Sequence, residues 1–418
     1  MSLNVMTVNK FYYIKGGSET YLFALENELR KRSISVFPFS MKDEKNKETI
    51  TSEFFVDNID YNNASFIKKI VLSSKIIYSI EAKKKINNLL DNYKIDIAHL
   101  HLFQHQLSPS ILAPIKKRGI PVVYTVHDLK VMCPNYKMMT HGSICEQCKG
   151  GKFYNVVLNK CTKDSYLGSL VNMTEAYVHS FLKTYSNSID FFITPSYFYK
   201  EKMIEWGFPE EKIEHIPNFA NPNDFTPCYD FDNYFLYFGR LSEEKGLFTL
   251  LRAVNITNSN IKVKIVGTGP LKEEIHNFIN ENRLNSKVEV LGFKSGSELV
   301  SLIKGAKAVL MPSEWYENGP LALIESFALG KIVIGSNIGG IPEHIDEGKN
   351  GFLFEPKNEF QFANILDIVN SMNKKELVNM GKNARRKVER IYNNDYHVEK
   401  ILNVYNSLIA QKVVENND

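Results

Sequence analysis

Short, continuous apolar runs alternate along the whole chain with stretches whose apolar residues recur every three or four positions. The runs are Leu3–Val8, Ile95–Leu100, Pro121–Val126 and Phe191–Thr194, followed by Tyr234–Phe238, Val263–Val266, Val288–Leu291, Ala308–Met311 and Ile332–Ile334. A strand that is apolar on both faces needs cover on both, and parallel strands joined through helices supply it. Prolines and asparagines cluster between Pro217 and Pro222, just ahead of the run at Tyr234, and such a cluster breaks regular structure. The pattern therefore predicts an α/β chain of two Rossmann-like, doubly wound domains, 1–217 and 218–390, with a cleft between them. No repeat of 20 to 50 residues and no low-complexity tract interrupts it.

The bulk properties narrow the function classes. Of 418 residues, 44% are apolar and 23% charged, enough apolar surface to exclude disorder as the main state. The balance of 51 Lys and Arg against 47 Asp and Glu gives +4, which disfavours nucleic acid as a partner. The charge is uneven, however. Residues 1–217 carry 28 basic and 22 acidic side chains, whereas residues 218–418 carry 23 and 25, so the first half is the one suited to an anionic surface. No run of 18 uncharged apolar residues occurs, and Met1-Ser2-Leu3-Asn4 does not open a signal peptide; the expectation is a protein neither spanning nor secreted. Five cysteines in a chain this long make no disulfide framework and suit a reducing compartment, the cytoplasm.

The most informative segment runs from Pro312 to Gly330, after one strand and into a helix. Asn318 or Gly319 is expected to cap that helix and Pro320 to occupy its first turn, leaving the N–H groups of Leu321 and Ala322 free for an anionic or hydroxyl-rich ligand. Glu317 precedes the helix and Glu325 lies inside it, so the two carboxylates bracket a ligand at two heights; an acidic pair that merely stabilises the helix dipole is the alternative. Arg240 and Lys245 follow the strand ending at Phe238, at the carboxyl edge where open α/β sheets bind ligands. There they supply a planar fork and a compact charge for a diphosphate without a metal, unless Glu243 or Glu244 pairs with them. Gly16 and Gly17 follow the first strand and open a helix from about Thr20 to Arg30, a turn that lets backbone approach a phosphate. Gly267 lies in a strand-to-glycine turn, Val266-Gly267-Thr268-Gly269-Pro270, that lacks the third glycine of a dinucleotide fingerprint. His127, beside Asp128 at the end of a buried strand, is either a hydrogen-bonding or proton-relaying site group or a structural histidine fixed by that aspartate. His99, His101 and His105 read as polar contacts near the preceding strand.

The Pro312–Gly330 segment, with Ile338-Gly339-Gly340-Ile341-Pro342-Glu343 and Gly348-Lys349-Asn350-Gly351-Phe352-Leu353-Phe354 after it, resembles the Glu-x7-Glu signature and following blocks of family 4 glycosyltransferases. The resemblance covers most of the chain, from about Met6 to Tyr396. It implies the GT-B fold, with a C-terminal helix in 391–418 packing back on the first domain, and retaining transfer of a sugar from a nucleoside-diphosphate donor. It also implies site roles. Glu317 meets donor-sugar hydroxyls, Glu325 holds the ribose, Arg240 and Lys245 neutralise the diphosphate, Gly16 and Gly17 face it, and His127 faces the sugar. Gly267, Asn318, Gly319, Pro320 and Leu321 complete the donor site. No catalytic metal is expected. The acceptor is a saccharide or a lipid-linked saccharide of surface polysaccharide synthesis, and the oligomeric state is left open.

Cys133, Cys145, Cys148 and Cys161 fall within 29 positions as Cys-x11-Cys-x2-Cys-x12-Cys. They form either a structural zinc site stapling an insertion at about 130–165, or four small buried side chains, or a redox-labile pair. Residues 61–94 hold seven lysines, two acids and an apolar stripe at helical spacing, which reads as an ordinary core-facing helix or as a peripheral contact with the inner membrane. Two further functions compete with transfer: a sugar-nucleotide epimerase on the same fold, which consumes donor without acceptor, and a zinc-stapled binding protein without activity. A nicotinamide oxidoreductase is disfavoured by the missing third glycine.

Overall fold

A computed structural model describes residues 3–58 and 74–415. The chain divides into two compact units. One comprises the residues up to Thr140, Cys145–Ile216 and the residues from His397 on; the other comprises His141–Ile144 and Pro217–Tyr396.

The first unit is built on a six-stranded parallel sheet of β1 (Asn4–Val8), β2 (Ser35–Phe39), β3 (Ile97–Leu100), β4 (Val122–Thr125), β5 (Phe191–Thr194) and β6 (Ile213–His215), in the order 2-1-3-4-5-6. β1, β3 and β4 are buried along almost their whole length, as continuous apolar runs in a covered parallel sheet require. β2 was not predicted from the apolar runs. It contains Pro38, which lacks the ladder donor, and it is tolerated because β2 is an edge strand. Helix α1 (Gly17–Lys31) turns Tyr21, Leu22, Leu25 and Leu29 into the core. Helix α2 (Ile80–Asn92) does the same with Ala82, Ile86, Leu89 and Leu90, so the described part of the lysine-rich stretch is a core-facing helix; residues 61–73 of it lie outside the described residues. Helix α3 (Tyr166–Phe181) precedes β5.

The second unit has its own six-stranded parallel sheet: β7 (Phe235–Phe238), β8 (Val263–Val266), β9 (Val288–Gly292), β10 (Ala308–Met311), β11 (Ile332–Ser336) and β12 (Gly351–Phe354), in the order 9-8-7-10-11-12. Two apolar clusters cover its faces. One contains Leu250, Val254, Ile265, Leu310, Ile334 and Phe362, the other Leu236, Val309, Leu323, Phe327 and Val333. Consecutive strand residues such as Val309 and Leu310 enter opposite clusters, the period-2 alternation of a strand buried on both sides. Helix α4 (Leu321–Ala328) follows β10. Helix α5 (Asn394–Glu415) belongs from His397 on to the first unit.

In each sheet the strand order reverses once, between β1 and β3 and between β7 and β10. Open α/β sheets bind ligands at the carboxyl ends of the strands beside such a reversal.

Candidate functional site

In the second unit the reversal brings the loop after β7 beside the loop after β10. Gly246, in the left-handed region at φ 65°, ends a short turn over Glu243–Lys245. A β-carbon there would stand 1.7 Å from the Pro312 carbonyl oxygen, so only glycine lets the two loops close. The closure seats Lys245 beside Glu317. Its Nζ donates to Glu317 Oε1 at 2.5 Å, and Ser313 Oγ donates to the same oxygen at 2.6 Å. Glu317 is 6% exposed. Burial pushes its carboxyl up, but the Lys245 charge and the hydrogen bonds outweigh it and hold it below the ordinary 4.5, so it is ionised near neutrality.

Behind Glu317, Gly339 at φ 59° would place a β-carbon 2.4 Å from the Glu317 carbonyl oxygen, and Gly340 N–H donates to that oxygen at 2.7 Å. The Ile338-Gly339-Gly340 block therefore positions the backbone of Glu317. Asn218 Nδ2 fixes the Gly319 carbonyl at 2.6 Å. The cap of α4 departs from expectation. Pro320, not Asn318 or Gly319, is the capping residue, and the first helical residue is Leu321. Proline loses nothing at this position, because an N–H there has no helical partner. The Pro320 carbonyl accepts from Leu323 and Ile324 N–H, and no backbone partner takes the N–H groups of Leu321 and Ala322 among the described residues. Glu325, one turn further on, is pushed up to about 7 by burial.

Arg240 is exposed, and its guanidinium pairs with no carboxylate among the described residues. Glu244 is engaged elsewhere, accepting from Ser242 Oγ at 2.8 Å. Gly267 ends β8 with its N–H bonded to the Gly292 carbonyl, while Gly239 N–H bonds the Val266 carbonyl and Leu241 N–H the Thr268 carbonyl. These bonds zip the β7 and β8 loops together under Arg240.

The first unit holds a second group of expected residues, at the carboxyl ends of β1, β3 and β4. Gly16 is the cap of α1, which begins at Gly17, earlier than Thr20, and its backbone is extended at φ −165°. Neither Gly16 nor Gly17 uses left-handed freedom, and both lie exposed at a helix N-terminus. His127 is not fixed by Asp128, whose Oδ1 accepts Lys130 N–H at 3.0 Å. Its partner is His101: Nε2 of His127 lies 3.0 Å from His101 Nδ1, with the rings stacked at 5.2 Å. Burial lowers His127 and His99 to about 3 and His101 well below its ordinary range, so all three are neutral. His101 Nε2 is buried without a partner. An orphaned buried N–H is rarer and costlier than an orphaned lone pair, which assigns the proton of His101 to Nδ1. His101 then donates to His127 Nε2, and His127 carries its own proton outward on Nδ1. His99 is saturated by Tyr405 and Thr125 at 2.5 and 2.7 Å, and Tyr21 hydroxyl bonds His397 at 2.9 Å; both Tyr405 and His397 come from α5.

The four insertion cysteines form no disulfide and are near enough to act on one another. Burial, then Cys133, Cys161 and Cys145, push the Cys148 thiol up to about 12. Yet among the described residues no three His, Cys, Asp or Glu side chains are arranged to hold a metal ion. Cys161 Sγ donates instead to Thr140 Oγ1 at 3.7 Å, and the Cys133 thiol takes backbone N–H bonds. No step is assigned to a metal.

Sequence reasoning gave no role to Ser313, Gly339, Asn218 or Tyr21 and read His101 as a bystander. Ser313 and Gly339 lay inside segments already singled out by their spacing; Asn218 and Tyr21 carry no local signal.

Residues 15–224 match the family model described as Glycosyltransferase Family 4, and residues 225–387 match Glycosyl transferases group 1. Over 259 residues the chain is 30% identical to an uncharacterized glycosyltransferase, MJ1607, of Methanocaldococcus jannaschii, a match that takes in 57% of this chain and 65% of that protein, just under two thirds of its length. Over 423 residues it is 24% identical to the O-antigen chain mannosyltransferase C of Escherichia coli, covering 98% of this chain and 100% of that one. Its fold is similar to that of sucrose-phosphate synthase from Thermosynechococcus elongatus, at a TM-score of 0.73 and 18% identity over 98% of this chain and 100% of that one. It is also similar to Anabaena HepE, solved with UDP and glucose, at 0.67 and 16% over 97% and 100%.

Proposed function

The chain belongs to glycosyltransferase family 4, and from that premise we propose that it moves a sugar from a nucleoside-diphosphate donor to a saccharide or lipid-linked saccharide acceptor in surface polysaccharide synthesis. The observation that carries the reading is the group at the strand-order reversal of the second sheet, where an unpaired Arg240 and a Lys245 fixed against a buried, ionised Glu317 stand beside the free N–H groups of α4. This is a charge pattern for a diphosphate next to a polyol. Arg240, Lys245 and the Leu321 N–H take the negative charge that develops on the departing diphosphate, and Glu317 Oε2 accepts from sugar hydroxyls. Glu325 accepts from the ribose. In the first unit, His127 offers a donor at Nδ1. The bond from the anomeric carbon to the diphosphate breaks, a bond from that carbon to the acceptor oxygen forms on the same face, and the acceptor proton leaves on the diphosphate, so configuration is retained. HepE bound to UDP and glucose and a mannosyltransferase of O-antigen chains support the substrate class.

The test is donor turnover. Nucleoside diphosphate release from a panel of nucleotide sugars is measured with and without saccharide acceptors, and the anomeric configuration of the product is read by NMR. Release that depends on acceptor and is lost in Glu317→Gln supports transfer. Donor consumption without any acceptor points to an epimerase, and no consumption in any combination contradicts the reading.

A further inference from the structure

Helix α3 is built inside out. A surface helix of a globular protein turns its apolar stripe to the core, but the residues α3 buries are Ser169, Asn172, Glu175 and His179. Each has a partner. Ser169 Oγ accepts Thr162 N–H at 3.1 Å, Asn172 Nδ2 donates to Thr162 Oγ1 at 2.8 Å, and Glu175 Oε2 pairs with Lys130 at 2.7 Å. His179 bonds the Ile77 carbonyl and Thr184 Oγ1, both at 3.1 Å. These bonds fix the rotation of the helix, which cannot bury its other face without orphaning them.

The other face is apolar. At 3.6 residues per turn Tyr166, Leu167, Leu170, Tyr177 and Phe181 fall on one side of α3, and all are exposed, Phe181 by 88% and Leu167 by 60%. Thr174, within that stripe, spends its hydroxyl on the Leu170 carbonyl at 2.8 Å. A short helix over Asn155–Leu158 continues the surface. Its neighbour Phe153 packs edge-on against Tyr177 at 5.2 Å, and Tyr154 and Leu158 are exposed beside it. Scattered exposed apolar residues need no explanation, whereas a contiguous patch on a helix whose polar face is pinned inward marks an interaction surface.

The rim identifies the occupant. Lys160 lies 4.4 Å over the Tyr166 ring, Lys152, Lys163 and Lys183 stand within three residues of patch positions in the sequence, and none of the four pairs with a carboxylate among the described residues. From Lys152 to Lys183 the sequence holds four lysines against Asp164 and Glu175, and Glu175 is the acid buried against Lys130; Lys149 just ahead of them is paired with Glu205. Apolar and aromatic side chains ringed by unpaired lysines match a surface that is apolar inside and anionic outside. The three tyrosines carry a phenol suited to the boundary between the two.

We propose that the outward face of α3, with Tyr154 and Leu158, docks the protein peripherally on an anionic lipid bilayer. The surface lies on the helix that follows the cysteine-bearing insertion, joined by Tyr154 and Leu158 from within it; residues 61–73 of the lysine-rich stretch lie outside the described residues.

The test uses the full chain in cosedimentation with vesicles of phosphatidylcholine alone and of phosphatidylcholine with phosphatidylglycerol, at low and high salt. Binding is expected only to the anionic vesicles and to weaken with salt. Leu167→Ser/Leu170→Ser/Phe181→Ser should lower the partition coefficient by at least about a hundredfold, with the melting temperature kept, since those side chains are exposed. Replacing Lys152, Lys160, Lys163 and Lys183 by Gln, which leaves the apolar face whole, should cost about fivefold per lysine. No binding to anionic vesicles at low salt, or binding that neither variant weakens, overturns the proposal. So does self-association in the absence of lipid that the serine variant abolishes, which would make the face an interface between copies of the chain.

Discussion

Replacing Lys245 with alanine leaves the buried Glu317 carboxylate with the Ser313 hydroxyl but no cation within ion-pair distance among the described residues. Breaking a buried ion pair from one side costs about 3–5 kcal/mol, because the remaining charge stays desolvated. Lys245 is 23% exposed along its side chain, so water relieves part of that cost and about 2–3 kcal/mol is the better figure. For a unit of this size the loss lowers its melting temperature by roughly 4–12 °C. The effect must depend on pH. In the native chain the Glu317 carboxyl is held below its ordinary value, so the stability it contributes is present above about 4.3 and is lost only as the pH falls through the depressed value. Without Lys245, burial, the largest influence, is opposed only by the remaining hydrogen bonds, so the value should rise and the sign reverse: the variant binds an extra proton when folded and loses stability as the pH rises. Thermal melts of wild type, Lys245→Ala and Lys245→Ala/Glu317→Gln at pH 5 and pH 8 test this. The single variant should fall further behind wild type at pH 8 than at pH 5, and the double variant should recover most of the difference by removing the stranded charge. A deficit that is equal at both pH values, or a double variant as unstable as the single one, would refute the reasoning.

Four further outcomes follow from the same geometry. Arg240→Ala should weaken nucleoside diphosphate binding by about tenfold to a hundredfold in calorimetry yet leave the melting temperature within a degree or two, because the guanidinium is exposed and unpaired. Glu325→Gln should raise stability at pH 8 more than at pH 5: the native carboxyl sits at about 7, so in the wild type stability declines as pH rises from the unfolded value to that point, by up to about 3 kcal/mol. In 15N NMR of the imidazoles, His127 should carry its proton on Nδ1. His101→Phe should release that preference and His101→Asn, which keeps a donor near the same place, should preserve it; an Nε2 proton on His127 in the wild type sinks the assignment. Cys133 and Cys148, whose thiols burial pushes up to about 11 and 12, should resist iodoacetamide at pH 7 in the folded chain and react on unfolding, as read by mass spectrometry.

The sheets were legible in the sequence to the extent that their strands are continuous apolar runs. The central strands β1, β3, β4, β7, β8 and β10 are of that kind. The outer strands β2, β6 and β12 were not read: β2 carries Pro38, β6 is three residues with Glu214 at its centre, and β12 begins at Gly351 within a block that reads as a motif. Each is a place where an edge or a glycine relaxes the pattern that central strands must obey. The Lys245–Glu317 contact was foreshadowed only as two charges 72 positions apart on motifs at strand ends; the closure that joins them depends on Gly246 against Pro312, a backbone approach that no periodicity encodes. The inward polar face of α3 was illegible for a related reason. Its apolar residues have helical spacing, and spacing does not say which face a helix turns to the core when Lys130, far outside it in sequence, supplies the partner for the buried Glu175.

The carboxyl edge of the second sheet, with Arg240 and Lys245, should bind a nucleoside diphosphate. A thermal-shift series with UDP, GDP, ADP, dTDP and NAD tests this directly in the wild type, Arg240→Ala and Lys245→Ala. One nucleoside diphosphate should raise the melting temperature, by about 2.7 kcal/mol of linked stability at a hundredfold excess over its Kd, and at the same concentration the rise should fall to about half or less in both variants. A shift with NAD alone, or a diphosphate shift that neither substitution diminishes, would contradict it.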